Sequence, residues 1–156
     1  MSTEEIFNYV KIDDHISTAG QPTEEQLHDA AAEGFTAIIN LAPVNPPYTP
    51  ADEAGLARQL GLTYIHIPVA WNNPADADFA AFEQAMSATA AQRTLIHCVA
   101  NFRVTAFYTL YAQKHLGWSA AEADALRDRI WTGSDYPVWE AFVARKRAEI
   151  EQGHRL

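Results

Sequence analysis

Three strand-like runs, each followed by a helical pattern, constrain this chain more than any other feature. Phe35–Leu41 is Ile-rich and apolar throughout, Leu62–Val69 is the second run, and Arg93–Cys98 the third. Helix signals stand between and around them. Thr23-Glu24-Glu25-Gln26 is a capping box for a helix to about Glu33, which Gly34 stops. Thr49 as cap, with Pro50 in the first turn, predicts a helix ended by Gly61. Asp78 predicts a helix start, with Phe79, Phe82 and Met86 turned inward. Arg103–Leu116 reads as a helix closed by Gly117. Ser119-Ala120-Ala121-Glu122 caps another, reaching about Ile130. Pro137 opens a last helix to about Gln152, with Trp139, Phe142 and Ile150 as a core stripe. A hairpin of Phe7–Ile12 and His15–Ala19, joined at Asp13-Asp14, precedes them all.

Strands alternating with helices predict an α/β fold with a mostly parallel central sheet flanked by helices. Ligands of such sheets lie at the carboxyl ends of the strands. That rule gathers Gly20, Gln21, Asn40, the residues after Pro68, and Cys98 at one rim. The Pro-rich stretch Pro43–Pro50 reads as a surface loop, so residues 1–156 are expected to form a single domain.

With 156 residues, 48% of them hydrophobic, the chain can bury a core without disulfides. Its one cysteine has no partner in the chain, which points to a reducing compartment. The acidic start Met1-Ser2-Thr3-Glu4-Glu5 lacks a signal-peptide stretch, and no window reaches the roughly 18 apolar residues of a membrane span. The expected location is cytoplasmic. A formal charge of −9 disfavours nucleic acid and anionic membranes as partners. Six scattered histidines give no zinc spacing, so neither metal nor cofactor is expected.

The chemistry concentrates at Cys98. It ends a strand, follows His97, and precedes Arg103 by five positions, as Cys98-Val99-Ala100-Asn101-Phe102-Arg103. A thiol attacks as its thiolate, which a cation or a helix N-terminus favours. The backbone N–H groups of Val99, Ala100, Asn101 and Phe102 are placed to cradle three phosphoryl oxygens, and Arg103 to grip two of them. With no Gly in the loop, a positive φ falls most easily on Asn101. His97 alternates with Cys98 and faces the other way, so it is expected to support the loop backbone, not to shuttle protons.

The segments Ser17–Leu27, Gly34–Leu41, Leu60–Val69 and His97–Arg103 carry a resemblance across roughly residues 15 to 112. The chain resembles the bacterial phosphatase-like domains associated with beta-lactamase-type hydrolases. These are a dual-specificity-like branch of the cysteine-dependent protein tyrosine phosphatases. The resemblance implies Cys98 as nucleophile, Arg103 as phosphate clamp and a cysteinyl-phosphate intermediate, with no metal. Of the residues gathered at the rim, Gln21 is expected at the substrate and Asn40 in support. The chain's partners would be a phosphorylated small molecule or a phosphoprotein; the oligomeric state is left open.

The chain departs from the superfamily pattern in three ways. Four residues separate Cys98 from Arg103 where the general signature has five, a shortening that this branch shares. The loop has no Gly. Val104 stands where a hydroxyl residue follows the arginine, leaving Thr105 as the candidate hydroxyl, or else as an ordinary helix Thr bonding its own backbone. Similar phosphatases place an acid Asp soon after the Ile-Pro strand end. After Ile67-Pro68 the candidates are Asp76 as general acid and Asp78 as helix cap. Two other readings fit a C-x4-R loop: a rhodanese-like sulfurtransferase and a non-catalytic phospho-ligand binder.

Overall fold

The computed structural model describes residues 2–43, 50–131 and 136–155. After a short 3-10 turn at Thr3–Glu5, the elements run β1 Val10–Lys11, β2 Ile16–Ala19, α1 Glu24–Ala32, β3 Ala37–Asn40, α2 Glu53–Gln59 and β4 Thr63–His66. They continue with α3 Asp76–Ala88, β5 Thr94–His97, α4 Phe102–His115, α5 Ala120–Asp128 and α6 Pro137–Arg155. The sheet order is β1-β2-β5-β3-β4. Among the described strands only the edge pair β1–β2 is antiparallel; β5 lies parallel between β2 and β3.

That order follows from connection handedness. The step from β3 to β4 moves outward, and its helix α2 packs on one face. The return from β4 to β5 runs the other way, so a right-handed crossover puts α3 on the opposite face. Two core clusters result. Leu27 and Ala30 of α1 and Ala57 of α2 meet Ile38 and Leu95 on one side. Phe79 and Phe82, with Val104, Phe107, Trp139 and Phe142, meet Ile39, Ile96 and Cys98 on the other. Period-two alternation along β5 therefore separates neighbours: His97 looks toward α2 and Cys98 toward α4. Trp139, Phe142 and Ile150 are buried, as the stripe on α6 predicts.

Most boundaries agree with the sequence signals. Thr23 and Ser119 each form the full capping box, with Gln26 and Glu122. Gly34 and Gly117 take positive φ where α1 and α4 end. Two starts differ. Thr49 lies outside the described residues, and α2 begins later than the Thr49-Pro50 signal. Asp52 is its cap, because its carboxylate accepts the Gly55 N–H at 3.0 Å. Asp78 is not the cap of α3 but its third residue; its carboxylate reaches back to the Ala75 N–H at 3.1 Å. Among the described residues no helix is long and apolar enough to cross a membrane.

Gly20 follows β2 and pairs with Ala100 across an isolated bridge. A Cβ there would stand 2.6 Å from the Val99 carbonyl oxygen and 3.0 Å from that of Phe7. Both obstacles are backbone, so the loop after β5 has to shift to admit a methyl. Gly20→Ala is expected to lose about 1–3 kcal/mol by this overpacking. Urea unfolding checks it, through a lower midpoint at unchanged slope; a midpoint equal to wild type would contradict the close approach.

Candidate active site

The loop between β5 and α4 is fixed at successive peptides. The Cys98 carbonyl lies 3.2 Å from His97 Nδ1, the Val99 carbonyl accepts the Gln21 N–H at 2.9 Å, and the Ala100 carbonyl accepts from Asn8 Nδ2 at 2.9 Å. Asn101 then turns left-handed, with φ 69°, and caps α4 by backbone alone. Its side chain faces away from the helix, donating to the Asn8 carbonyl at 2.9 Å and to Thr18 Oγ1 at 3.0 Å. The first-turn N–H groups of α4 thus have no side-chain cap.

Arg103 sits in that first turn, 8% exposed. Among the described residues its guanidinium meets no carboxylate, and its Nε has no hydrogen-bond partner. Its one described partner is the Trp71 ring, 5.2 Å from the guanidinium carbon. Trp71, Val99, Ala100, Phe102, Arg103 and Tyr136 line a cavity of about 380 Å³. Its wall is aromatic: Trp71 stacks on Trp139, and its ring meets Tyr136 edge-on at 5.1 Å. Phe102 stacks on Trp131. Cys98 has no exposed surface and packs with the α4 side of the core.

His97 Nδ1 lies beside the Cys98 carbonyl, and the ring also has a partner that sequence reasoning missed. Its Nε2 lies 2.7 Å from Glu53 Oε2, and both residues are buried. The ring thus has an acceptor at each nitrogen, a carbonyl and a carboxylate. Gln21 donates to Glu53 Oε1 at 2.7 Å, and Tyr64 also bonds this carboxylate. Burial pushes the Glu53 carboxyl up, but the charge and hydrogen bond of His97, with the bonds from Gln21 and Tyr64, bring it below its ordinary value. Tyr64 is pushed well up by burial and by Glu53. Asn40 completes the group, donating to the Tyr64 hydroxyl at 3.0 Å and accepting the Ala42 N–H at 2.9 Å.

Several predicted residues have other duties. The Gln21 side chain is spent on Glu53 and on the Pro22 carbonyl and does not line the cavity; only its backbone touches the loop. Thr105 is the backbone-bonded helix Thr. Its hydroxyl lies 2.9 Å from the Asn101 carbonyl and 3.1 Å from that of Phe102, and it accepts from Trp131 Nε1 at 3.0 Å. Asp76 is not brought to the loop. It pairs at 3.0 Å with both Arg145 and Lys146 and lines a separate cleft with Phe79 and Glu83. Hydrogen bonds from Arg145 and Lys146 hold its carboxyl below the ordinary range, the opposite of what a general acid needs. Trp71 and Tyr136 were also missed. The strand-end rule reaches Trp71 only if the segment after Ile67-Pro68 is followed further along; Tyr136 carries no sequence signal.

The sign of the Glu53 shift sets a pH window. Its folded value lies below 4.5, so its stabilisation is complete above the unfolded value and is lost as pH falls through the folded one. Glu53→Gln removes the buried carboxylate that His97, Gln21 and Tyr64 share and should lose about 3 kcal/mol at neutral pH. In urea unfolding across pH, the gap between variant and wild type should narrow as pH falls below the ordinary carboxylate range, through the lowered Glu53 value. A gap that is constant with pH would show that the pair is not the cause.

Comparison with known proteins agrees with this fold. Residues 8–114 match the family model of the beta-lactamase hydrolase-like protein, phosphatase-like domain. A beta-lactamase hydrolase-like protein of Xylella fastidiosa (strain Temecula1 / ATCC 700964) is 33% identical over 105 residues. The match covers 65% of this chain but only 24% of that protein, about a quarter of its length. A DUF442 protein of Shewanella putrefaciens CN-32 superposes with a TM-score of 0.85 at 29% identity, covering 94% of this chain and 92% of that one. TpbA of P. aeruginosa, solved in complex with pTyr, superposes at 0.71 with 13% identity over 97% of this chain and 93% of its own, a likeness of fold. On the extent of the family match and this shared architecture, the chain belongs to the phosphatase-like domain family of beta-lactamase hydrolase-like proteins.

Proposed function

We propose that this chain hydrolyses a phosphate monoester, with Cys98 as nucleophile and the loop to Arg103 as the phosphoryl cradle. The observation that carries the reading is the Arg103 guanidinium. A buried cation is costly unless an anion joins it; among the described residues Arg103 meets no carboxylate, and it opens onto a cavity walled by the cysteine loop. A phosphoryl group supplies that anion. The planar fork of the guanidinium suits two phosphoryl oxygens, and the first turn of α4, which begins beside it, has no side-chain cap on its N–H donors.

In the reaction, the Cys98 thiolate attacks phosphorus and the P–O bond to the leaving group breaks. The leaving oxygen keeps the electron pair and takes a proton from water. A second water then attacks the cysteinyl phosphate, the S–P bond breaks, and inorganic phosphate departs with the thiolate restored. Cys98 is fully covered, so the phosphoryl group has to enter the loop to meet the sulfur. The Trp71, Phe102 and Tyr136 wall favours a phosphate carried on a flat apolar group.

Among the described residues, none lining the cavity is a carboxylic acid. Turnover should therefore favour leaving groups that depart without protonation. With p-nitrophenyl phosphate, Cys98→Ser is expected to lose about 10³-fold or more in kcat; equal rates in variant and wild type would sink the proposal. Across a series of aryl phosphates, log kcat should fall steeply as the leaving-group pKa rises. A flat series would reveal an acid elsewhere. That no described residue lining the cavity is an acid also fits a second reading, a phospho-ligand binder. Phosphate binding without wild-type turnover on any ester would select it.

A further inference from the structure

We infer that Asn8 is a positioning residue for the phosphoryl cradle, acting on it from outside the loop through the Ala100–Asn101 peptide. This rests on the phosphatase reading of the Cys98 loop and extends it to a residue far from that loop in sequence.

The argument begins with peptide planarity. In a trans peptide the C=O of one residue and the N–H of the next point in opposite directions. Anchoring a carbonyl on one side therefore aims the following N–H at the other. Three successive carbonyls of the loop are anchored outward: Cys98 by His97 Nδ1, Val99 by the Gln21 N–H, and Ala100 by Asn8 Nδ2. The N–H groups of Val99, Ala100 and Asn101 are turned away from those anchors. A ring of N–H groups aimed together is what an oxyanion needs. Of the three anchors, the Asn8 amide is the one supplied by a side chain outside both the loop and the β2–α1 junction.

Asn8 is shaped for this task. Asn8 and Asn101 are the described non-glycine residues with positive φ, 54° and 69°. They bond reciprocally: Asn8 Nδ2 donates to the Ala100 carbonyl, and Asn101 Nδ2 donates to the Asn8 carbonyl, each at 2.9 Å. The left-handed turn lets Asn8 present its side chain and its carbonyl to the same loop. The neighbouring Phe7 carbonyl accepts the Gly20 N–H at 2.7 Å, which ties this turn to the strand end beside it. With one N–H fewer than the longer superfamily loop offers, the aim of each remaining donor carries more of the binding.

Two variants separate aim from folding. Asn8→Gly keeps the positive φ and the carbonyl that Asn101 uses, and deletes only the Ala100 anchor. Asn8→Asp keeps the shape and tolerates the same φ, but sets an acceptor against the Ala100 carbonyl. Both should show wild-type circular dichroism while kcat for p-nitrophenyl phosphate falls about 10–100-fold and KM moves about threefold or less. Wild-type kcat in either variant would overturn the inference. Titration of inorganic phosphate, followed by amide proton and nitrogen shifts, gives a readout free of turnover. The Asn101 amide should shift in wild type and much less in Asn8→Gly; equal shifts would overturn the role of Asn8. If no amide from Val99 to Arg103 responds in wild type, and no ester is turned over, the phosphatase reading falls and takes this inference with it.

Discussion

The Glu53–His97 contact, 2.7 Å long and closed to solvent, joins parts of the chain that sequence keeps far apart. Glu53 opens α2, His97 ends the central strand, and Gln21 and Tyr64 reach the same carboxylate from the end of β2 and from β4. One carboxylate thus fixes the carboxyl ends of several strands relative to one another. The imidazole passes that order on: with Nε2 committed to Glu53, Nδ1 is turned to the Cys98 carbonyl. The loop begins from a peptide whose direction is already set. This also decides what His97 does not do. A ring buried between a carboxylate and a carbonyl has no free nitrogen to offer the cavity.

The two charged groups flanking the loop are treated in opposite ways. Glu53 has a histidine and hydrogen bonds around it, so its charge is balanced within the protein. Arg103, similarly buried, has among the described residues only the face of Trp71. A cation over an indole recovers part of its lost hydration, typically about 0.5–2 kcal/mol, far less than a paired carboxylate would. Under the proposed phosphatase reading, the anion that Arg103 lacks among the described residues comes from the ligand. Elsewhere the protein pairs its cations readily, as Arg145 and Lys146 do with Asp76.

Much of this was legible in the residues, for identifiable reasons. The alternation of Ile96, His97 and Cys98 across a buried strand requires His97 and Cys98 to face opposite helices, and they do. A loop without glycine that needs one left-handed residue offers only Asn101, and φ there is 69°. The capping boxes at Thr23 and Ser119 are local, so sequence suffices for them. What stayed hidden depends on long-range meeting. Glu53 looks like any acidic residue in a first helical turn until the fold brings its carboxylate to His97 at the end of β5. Asp76 looks like an acid after a strand end until α6 brings Arg145 and Lys146 to it. Gln21 stands at the predicted rim, yet a buried carboxylate outcompetes solvent or substrate for its amide.

The protein's net charge and its cavity impose different demands on a ligand. At −9 the surface repels an anion at long range, although physiological salt screens this beyond roughly 8 Å. For the anionic ligand of the proposed reading, attraction has to act at short range, and among the described residues one guanidinium is the only cationic group lining the cavity. Polyphosphorylated ligands would bring more negative charge than that site can offset. Under the proposed phosphatase reading a single phosphoryl group matches it, and the remaining affinity comes from uncharged contact. Trp71, Phe102 and Tyr136 provide that contact beside the cation. Because Trp71 both backs the guanidinium and walls the cavity, entry of an apolar phosphate ester lets one ring serve the charge and the scaffold together.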